Sequence, residues 1–98
     1  MFDDETIDKI INRIQPEMKG CYQNAYRLCD RIFDVRYTIK YCVGYMNYHG
    51  IPIEHAWNSV NGKYIDITKE FALQKPLDED TYVLIAEYDV NTMRDLAV

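Results

Sequence analysis

Residue 55 is a histidine and residue 66 an aspartate, and the chain between them determines how they meet. Asn61-Gly62 is the dipeptide that favours tight two-residue hairpin loops. Such a loop makes Val60 and Lys63 the closing pair, so Trp57 faces Asp66 and His55 faces Thr68. Strand side chains alternate, which puts all four on one face of the sheet. His55 and Asp66 become diagonal neighbours, with α-carbons roughly 7–8 Å apart. An imidazole beside a carboxylate is a base with its orienter: the carboxylate fixes the tautomer and stabilises the imidazolium. The same pair also occurs as an ordinary structural contact in strands, so chemistry requires a nucleophile as well.

Cys21 is the candidate nucleophile. It follows Gly20 at the expected start of a helix, where unpaired N–H groups and the helix dipole favour a thiolate. Thiolates attack carbonyls, and an imidazolium is their natural partner. Cys29 lies in the interior of the same helix and Cys42 in a strand, and both read as inert packers. Gln15, six residues before Cys21 across a loop with Pro16 and Gly20, is placed to donate an amide N–H to an oxyanion, together with the Cys21 backbone N–H. It is equally well read as a solvated residue at a helix end. Trp57 reads as a cover for the His–Asp pair that excludes water and borders substrate; plain core packing is the simpler alternative. His49 lies in a turn, and two histidines leave a zinc site few ligands. Asp78-Glu79-Asp80 reads as a solvated loop. No phosphate loop or dinucleotide fingerprint is present, and neither a cofactor nor a metal is expected.

The elements that must hold these residues follow from periodicity. Ile7, Ile10, Ile11 and Ile14 form a helical stripe over residues 3–14, with acidic residues at its start and Pro16 after its end. A second helix is expected from Cys21 to about Phe33, with Cys21, Ala25, Leu28, Cys29 and Ile32 on its apolar face. From Val35 to Tyr45 the period drops to two, which predicts a strand. Residues 48–52 turn the chain, and strands follow at 53–60 and 63–68. A helical turn is expected over 69–75. The apolar run inside residues 80–88 predicts a buried strand, and residues 90–97 a terminal helix. This is an α+β domain with N-terminal helices packed on an antiparallel sheet.

Length and charge narrow the function classes. Ninety-eight residues with 48% hydrophobic and 28% charged side chains make one domain that can bury its own core. The net charge of −5 speaks against general nucleic-acid binding, which needs a basic footprint, and against docking on an anionic membrane. No window holds enough apolar residues to span a membrane, and the acidic start lacks the features of a signal peptide. Three cysteines without a CxxC pair suit a reduced, cytoplasmic setting better than a disulfide framework.

Several stretches together resemble a minimal transglutaminase-like or papain-like cysteine domain. They are Cys21-Tyr22-Gln23-Asn24-Ala25, Tyr41-Cys42-Val43-Gly44-Tyr45, Glu54-His55-Ala56-Trp57-Asn58 and Gly62-Lys63-Tyr64-Ile65-Asp66-Ile67-Thr68. The resemblance covers about residues 15–68. It implies a papain/transglutaminase-like core, with Cys21 as nucleophile, His55 as base, Asp66 as orienter and Gln15 as oxyanion donor. Ile67 stands where such sequences often carry proline, and the lobes that usually flank the cleft are missing. The expectation is a small cysteine-dependent acyl-transfer enzyme (amidase, peptidase, deamidase or transglutaminase in type) acting on a protein or peptide substrate. The alternative is a catalytically idle domain of the same fold that binds a protein, for example a phage- or plasmid-encoded inhibitor of a host protein. Nine tyrosines, a residue type favoured at interfaces, motivate it.

Overall fold

Two pairs of residues with positive φ organise the sheet in the computed structural model, which describes residues 2–96. His49-Gly50 (φ 51° and 80°) and Asn61-Gly62 (φ 51° and 84°) each form a two-residue loop whose twist matches that of antiparallel strands. The first joins β1 (Ile39–Tyr48) to β2 (Ile51–Val60), and the second joins β2 to β3 (Lys63–Ile65). The long hairpin runs in unbroken register from Ile39 opposite Val60 to Tyr48 opposite Ile51. The short one pairs Val60 with Lys63 and Asn58 with Ile65, the register that the Asn-Gly loop predicts. β4 (Tyr82–Tyr88) is antiparallel to β1, so the strand order is β3-β2-β1-β4.

Helices α1 (Asp4–Ile14), α2 (Cys21–Arg31) and α3 (Val90–Leu96) complete an α+β fold. Asp3 caps α1 by accepting from the Thr6 backbone N–H at 2.8 Å. Ile10 and Ile14 of α1 and Leu28 of α2 pack on Val60, Ile65 and Ile67, burying the helical stripes against one sheet face. The opposite face carries a smaller core of Cys42, Trp57 and Tyr82, with Met46, Tyr64 and Leu77 against it. Gly44 makes that core possible. A Cβ at this position would run into the Val83 carbonyl and come within 3.1 Å of the Trp57 ring. The β1–β4 register shifts between Val43 and Gly44, beside this close approach.

Several sequence expectations need correction. β1 begins at Ile39 rather than Val35, because residues 34–37 form a turn in which Arg36 pairs with Asp34 and Asp3 and Val35 stands in solvent. The turn after β1 is tighter than expected, so β1 reaches Tyr48 and β2 starts at Ile51. α2 ends at Arg31, and Phe33 is exposed. β3 stops at Ile65 because Asp66 leaves the ladder to accept the Lys69 N–H and to donate its own N–H to Glu70, leading the chain into a wide helical turn, Thr68–Ala72. β4 is an edge strand and not a buried one: Val83, Leu84 and Ile85 are exposed despite their apolar run. The terminal helix is expected to reach residue 97, which lies outside the described residues. Among the described residues, no helix is long and apolar enough to cross a membrane.

Candidate active site

The site begins where α2 begins. Gly20 is the N-cap and supplies no side-chain cap, so the first turn of α2 keeps N–H groups for other acceptors. The loop before it is tied down by Asn24, one turn into the helix and fully buried. Its Nδ2 donates to the Glu17 carbonyl and to Thr68 Oγ1, both at 2.8 Å, and its Oδ1 accepts from the Glu17 N–H at 3.1 Å. These bonds fix residues 17–24 against the turn that follows β3. Cys21, half-buried, is thereby held beside β2.

His55 lies on β2 beyond the end of the short strand β3, on the edge that β3 leaves uncovered. Its Nε2 is 2.6 Å from Asp66 Oδ2, and both side chains are buried. The diagonal relationship expected from the hairpin is realised, although Asp66 reaches His55 from the start of the turn after β3 and not from a strand. Asp66 Oδ1 accepts the Lys69 N–H at 3.1 Å, and Glu70 Oε1 accepts the Asp66 N–H at 3.0 Å. Thr68 leaves the sheet face shared with His55 and turns to Asn24. Because Nε2 is engaged by Asp66, Nδ1 is the imidazole nitrogen left for Cys21.

The electrostatics favour an ion pair. Burial pushes the Cys21 thiol up, but His55 and the N–H groups of Ala56 and Tyr22 outweigh it, and the pKa falls below its ordinary value. Burial pushes His55 down, yet Asp66 and Cys21 raise it to about 9. Asp66 is disfavoured by burial, but His55, Tyr82 and the Lys69 N–H hold its carboxyl below the ordinary range. A lowered thiol beside a raised imidazole is the signature of a thiolate–imidazolium pair. The other cysteines behave oppositely: burial pushes Cys29 up to about 11 and Cys42 up to about 12.

The structure joins His55 to Asp66 and puts Cys21 near enough for thiol and imidazole to shift each other's ionisation, whereas Gln15 lies apart and Trp57 packs beside His55 out of reach of solvent. Gln15 caps the C-terminus of α1 with φ 49°, exposed on a hollow that it shares with Ile11, Pro16, Glu70, Phe71 and Gln74. Among the described residues, no hydrogen bond joins it to Cys21 or His55. Trp57 is only 1% exposed, so it is a wall and not a surface that substrate touches. Its ring lies nearly parallel to His55, with centroids 6.2 Å apart, and it meets Tyr82 edge-on at 4.9 Å. Packing on both neighbours is what removes it from solvent.

Two residues at the site were missed in the sequence. Tyr82 donates its hydroxyl to Asp66 Oδ2 at 2.6 Å from β4, the edge strand farthest from β3. No local pattern announces this, since it depends on the order of the strands. Asn24 had a signal: it is a polar residue in a helix segment whose neighbours Ala25, Leu28 and Cys29 are buried. Among the described residues, no cluster of three or more His, Cys, Asp and Glu is arranged to hold a metal ion. No family model, curated protein or solved structure matches this chain.

Proposed function

We propose that this chain is a small cysteine-dependent acyl-transfer enzyme built on a papain/transglutaminase-like core. The observation that carries the reading is a His55–Asp66 pair joined at 2.6 Å whose imidazole acts on the thiol of Cys21 at a helix start. Separately these residues are unremarkable; jointly they supply a nucleophile, a base and an orienter in one place.

The Cys21 thiolate attacks a carbonyl carbon, and the carbonyl π electrons move to oxygen to give a tetrahedral oxyanion. The N–H groups of Ala56 on β2 and Tyr22 in the first turn of α2, which already bear on the Cys21 sulfur, are backbone donors at hand for that charge. Collapse breaks the bond to the leaving group, which takes the proton from His55 Nδ1, and a thioester on Cys21 remains. His55, now neutral, removes a proton from water or an amine as it attacks the thioester. The second collapse releases the acyl product and regenerates the thiolate–imidazolium pair. Asp66 holds the ring through both steps by its bond to Nε2. Water as acceptor gives hydrolysis or deamidation, and an amine gives transfer. The substrate class is a carbonyl of a protein or peptide, reached at the half-exposed Cys21 in a cytoplasmic, reducing setting that keeps the thiol free.

The test is acylation by p-nitrophenyl acetate. A burst of p-nitrophenolate is expected, with one acetyl group on Cys21 by mass spectrometry, absent in Cys21→Ala and strongly slowed in His55→Ala. A burst of equal size in either variant, with the fold retained, would overturn the reading.

A second reading, a protein-binding module, is favoured by a different surface. Tyr48, Ile51, Ile53 and Leu84 are exposed around the outer half of the β1–β2 hairpin and the β4 edge, away from the helices. In that case a partner such as a host protein is captured equally well by Cys21→Ala, and the burst is absent.

A further inference from the structure

The Asp66 carboxylate is shared in an unusual way. One oxygen, Oδ2, receives both the His55 Nε2 contact and the Tyr82 hydroxyl, each at 2.6 Å, while Oδ1 takes the Lys69 N–H. Tyr82 comes from β4, at the opposite end of the sheet order from β3, so its side chain reaches across β1 and β2 to arrive there. Little freedom remains to it. Its ring is 4.9 Å from Trp57, 6.0 Å from Tyr64 and 6.1 Å from His55, and it is 7% exposed. Trp57 can occupy this space because residue 44 is glycine. The arrangement thus depends on residues from all four strands or their ends.

We infer that Tyr82 is a positioning residue of the catalytic pair, its hydroxyl stabilising the Asp66 carboxylate at the same oxygen that engages His55. The inference rests on the acyl-transfer reading of the site and extends it. A carboxylate oxygen that already accepts a phenol proton donor is a weaker acceptor for an imidazolium. Tyr82 therefore limits how far the Asp66 charge strengthens the hold of His55 on its Nδ1 proton, which His55 must release to the leaving group. It also denies Oδ2 any rotation away from Nε2. The hydroxyl remains a donor across the working range, because burial and the adjacent Asp66 charge both oppose its ionisation.

The groups that bear on His55 are few: Cys21 from α2, Asp66 after β3 and Tyr82 from β4, with Glu70 behind Asp66 and Glu54 next in the chain. Tyr82→Phe removes one oxygen from this set. The experiment is an NMR titration of the His55 ring in the full chain, in wild type and in Tyr82→Phe. In Tyr82→Phe the His55 midpoint is expected to rise by about one pH unit. A 3-fluorotyrosine at position 82, a stronger donor, shifts His55 downward and serves if the Phe variant does not fold. An unchanged or lowered midpoint in folded Tyr82→Phe overturns the role of Tyr82 while the pair stands. A wild-type His55 that titrates near 6.5 overturns the pair itself, and with it the reading on which the role rests.

Discussion

His55 Nε2 and Asp66 Oδ2 lie 2.6 Å apart in a buried contact between β2 and the start of the turn after β3. This single contact fixes which imidazole nitrogen is available to Cys21 and gives the imidazolium its counter-charge. It also joins two segments that the Asn61-Gly62 loop brings side by side.

Replacing Asp66 by Asn keeps the shape and removes the charge. The His55 midpoint is expected to fall from about 9 toward its ordinary 6.5, since burial then acts with less opposition while Cys21 still favours the charged ring. Cys21 loses its imidazolium partner near neutrality, and its alkylation at pH 6 should slow about tenfold or more, because thiolate fraction sets the rate. NMR titration and mass-spectrometric labelling check the two effects.

The pair also makes stability depend on pH. His55 has a folded pKa above its unfolded value, so its contribution is complete below about 6.5 and is lost as pH rises toward about 9. Asp66 has a folded pKa below 3.8, so its contribution is present above 3.8 and is lost as pH falls through the folded value. The lowered thiol of Cys21 acts in the opposite direction to His55 on the alkaline side and partly masks it. In Cys21→Ala, where Asp66 still raises His55, the urea midpoint should therefore decline clearly as pH rises above 6.5. Adding His55→Gln should flatten that decline.

Asn24 anchors the segment that presents Cys21. Asn24→Ala takes the partner from the Glu17 N–H and carbonyl and from the buried Thr68 hydroxyl, and it is expected to cost about 1–3 kcal/mol. Urea denaturation measures the loss. Labelling of Cys21 should become slower at pH 6 even where the variant is folded, since the helix start is no longer held to Thr68.

Gly44→Ala tests the close approach that lets Trp57 and Tyr82 back the site. The added methyl meets the Val83 backbone and the Trp57 ring, and overpacking of this kind costs about 1–3 kcal/mol. A urea midpoint equal to that of wild type would show that the strands can separate without cost.

Much of this arrangement was legible in advance. The Asn61-Gly62 dipeptide carried the register of β2 and β3 and so the meeting of His55 with Asp66, because a two-residue loop has almost no freedom. The start of α2 at Cys21 followed from Gly20 and the apolar spacing behind it. Alternation misled at Val35, where Asp34 and Arg36 pair in a turn that mimics the strand period. It misled again at Val83-Leu84-Ile85, since an apolar run does not say whether both faces and edges are covered. Alternation makes Asp66 a strand residue, because its competing contacts depend on Glu70 folding back to its N–H. Spacing alone sets Gln15 near Cys21, but the left-handed end of α1 turns the chain so that it borders a hollow with Ile11 and Gln74. Tyr82 was beyond reach, since only the β3-β2-β1-β4 order aims it at Asp66.

The central claim is that Cys21 and His55 form a thiolate–imidazolium pair, and the most direct measurement is the pH dependence of Cys21 alkylation by iodoacetamide. Mass spectrometry reads each cysteine separately in wild type and in His55→Ala. The account predicts rapid labelling of Cys21 alone at pH 6, at least about tenfold faster than in His55→Ala, with Cys29 and Cys42 labelled only after unfolding. A single ionisation near 8.5 for Cys21, the same with and without the imidazole, would contradict it.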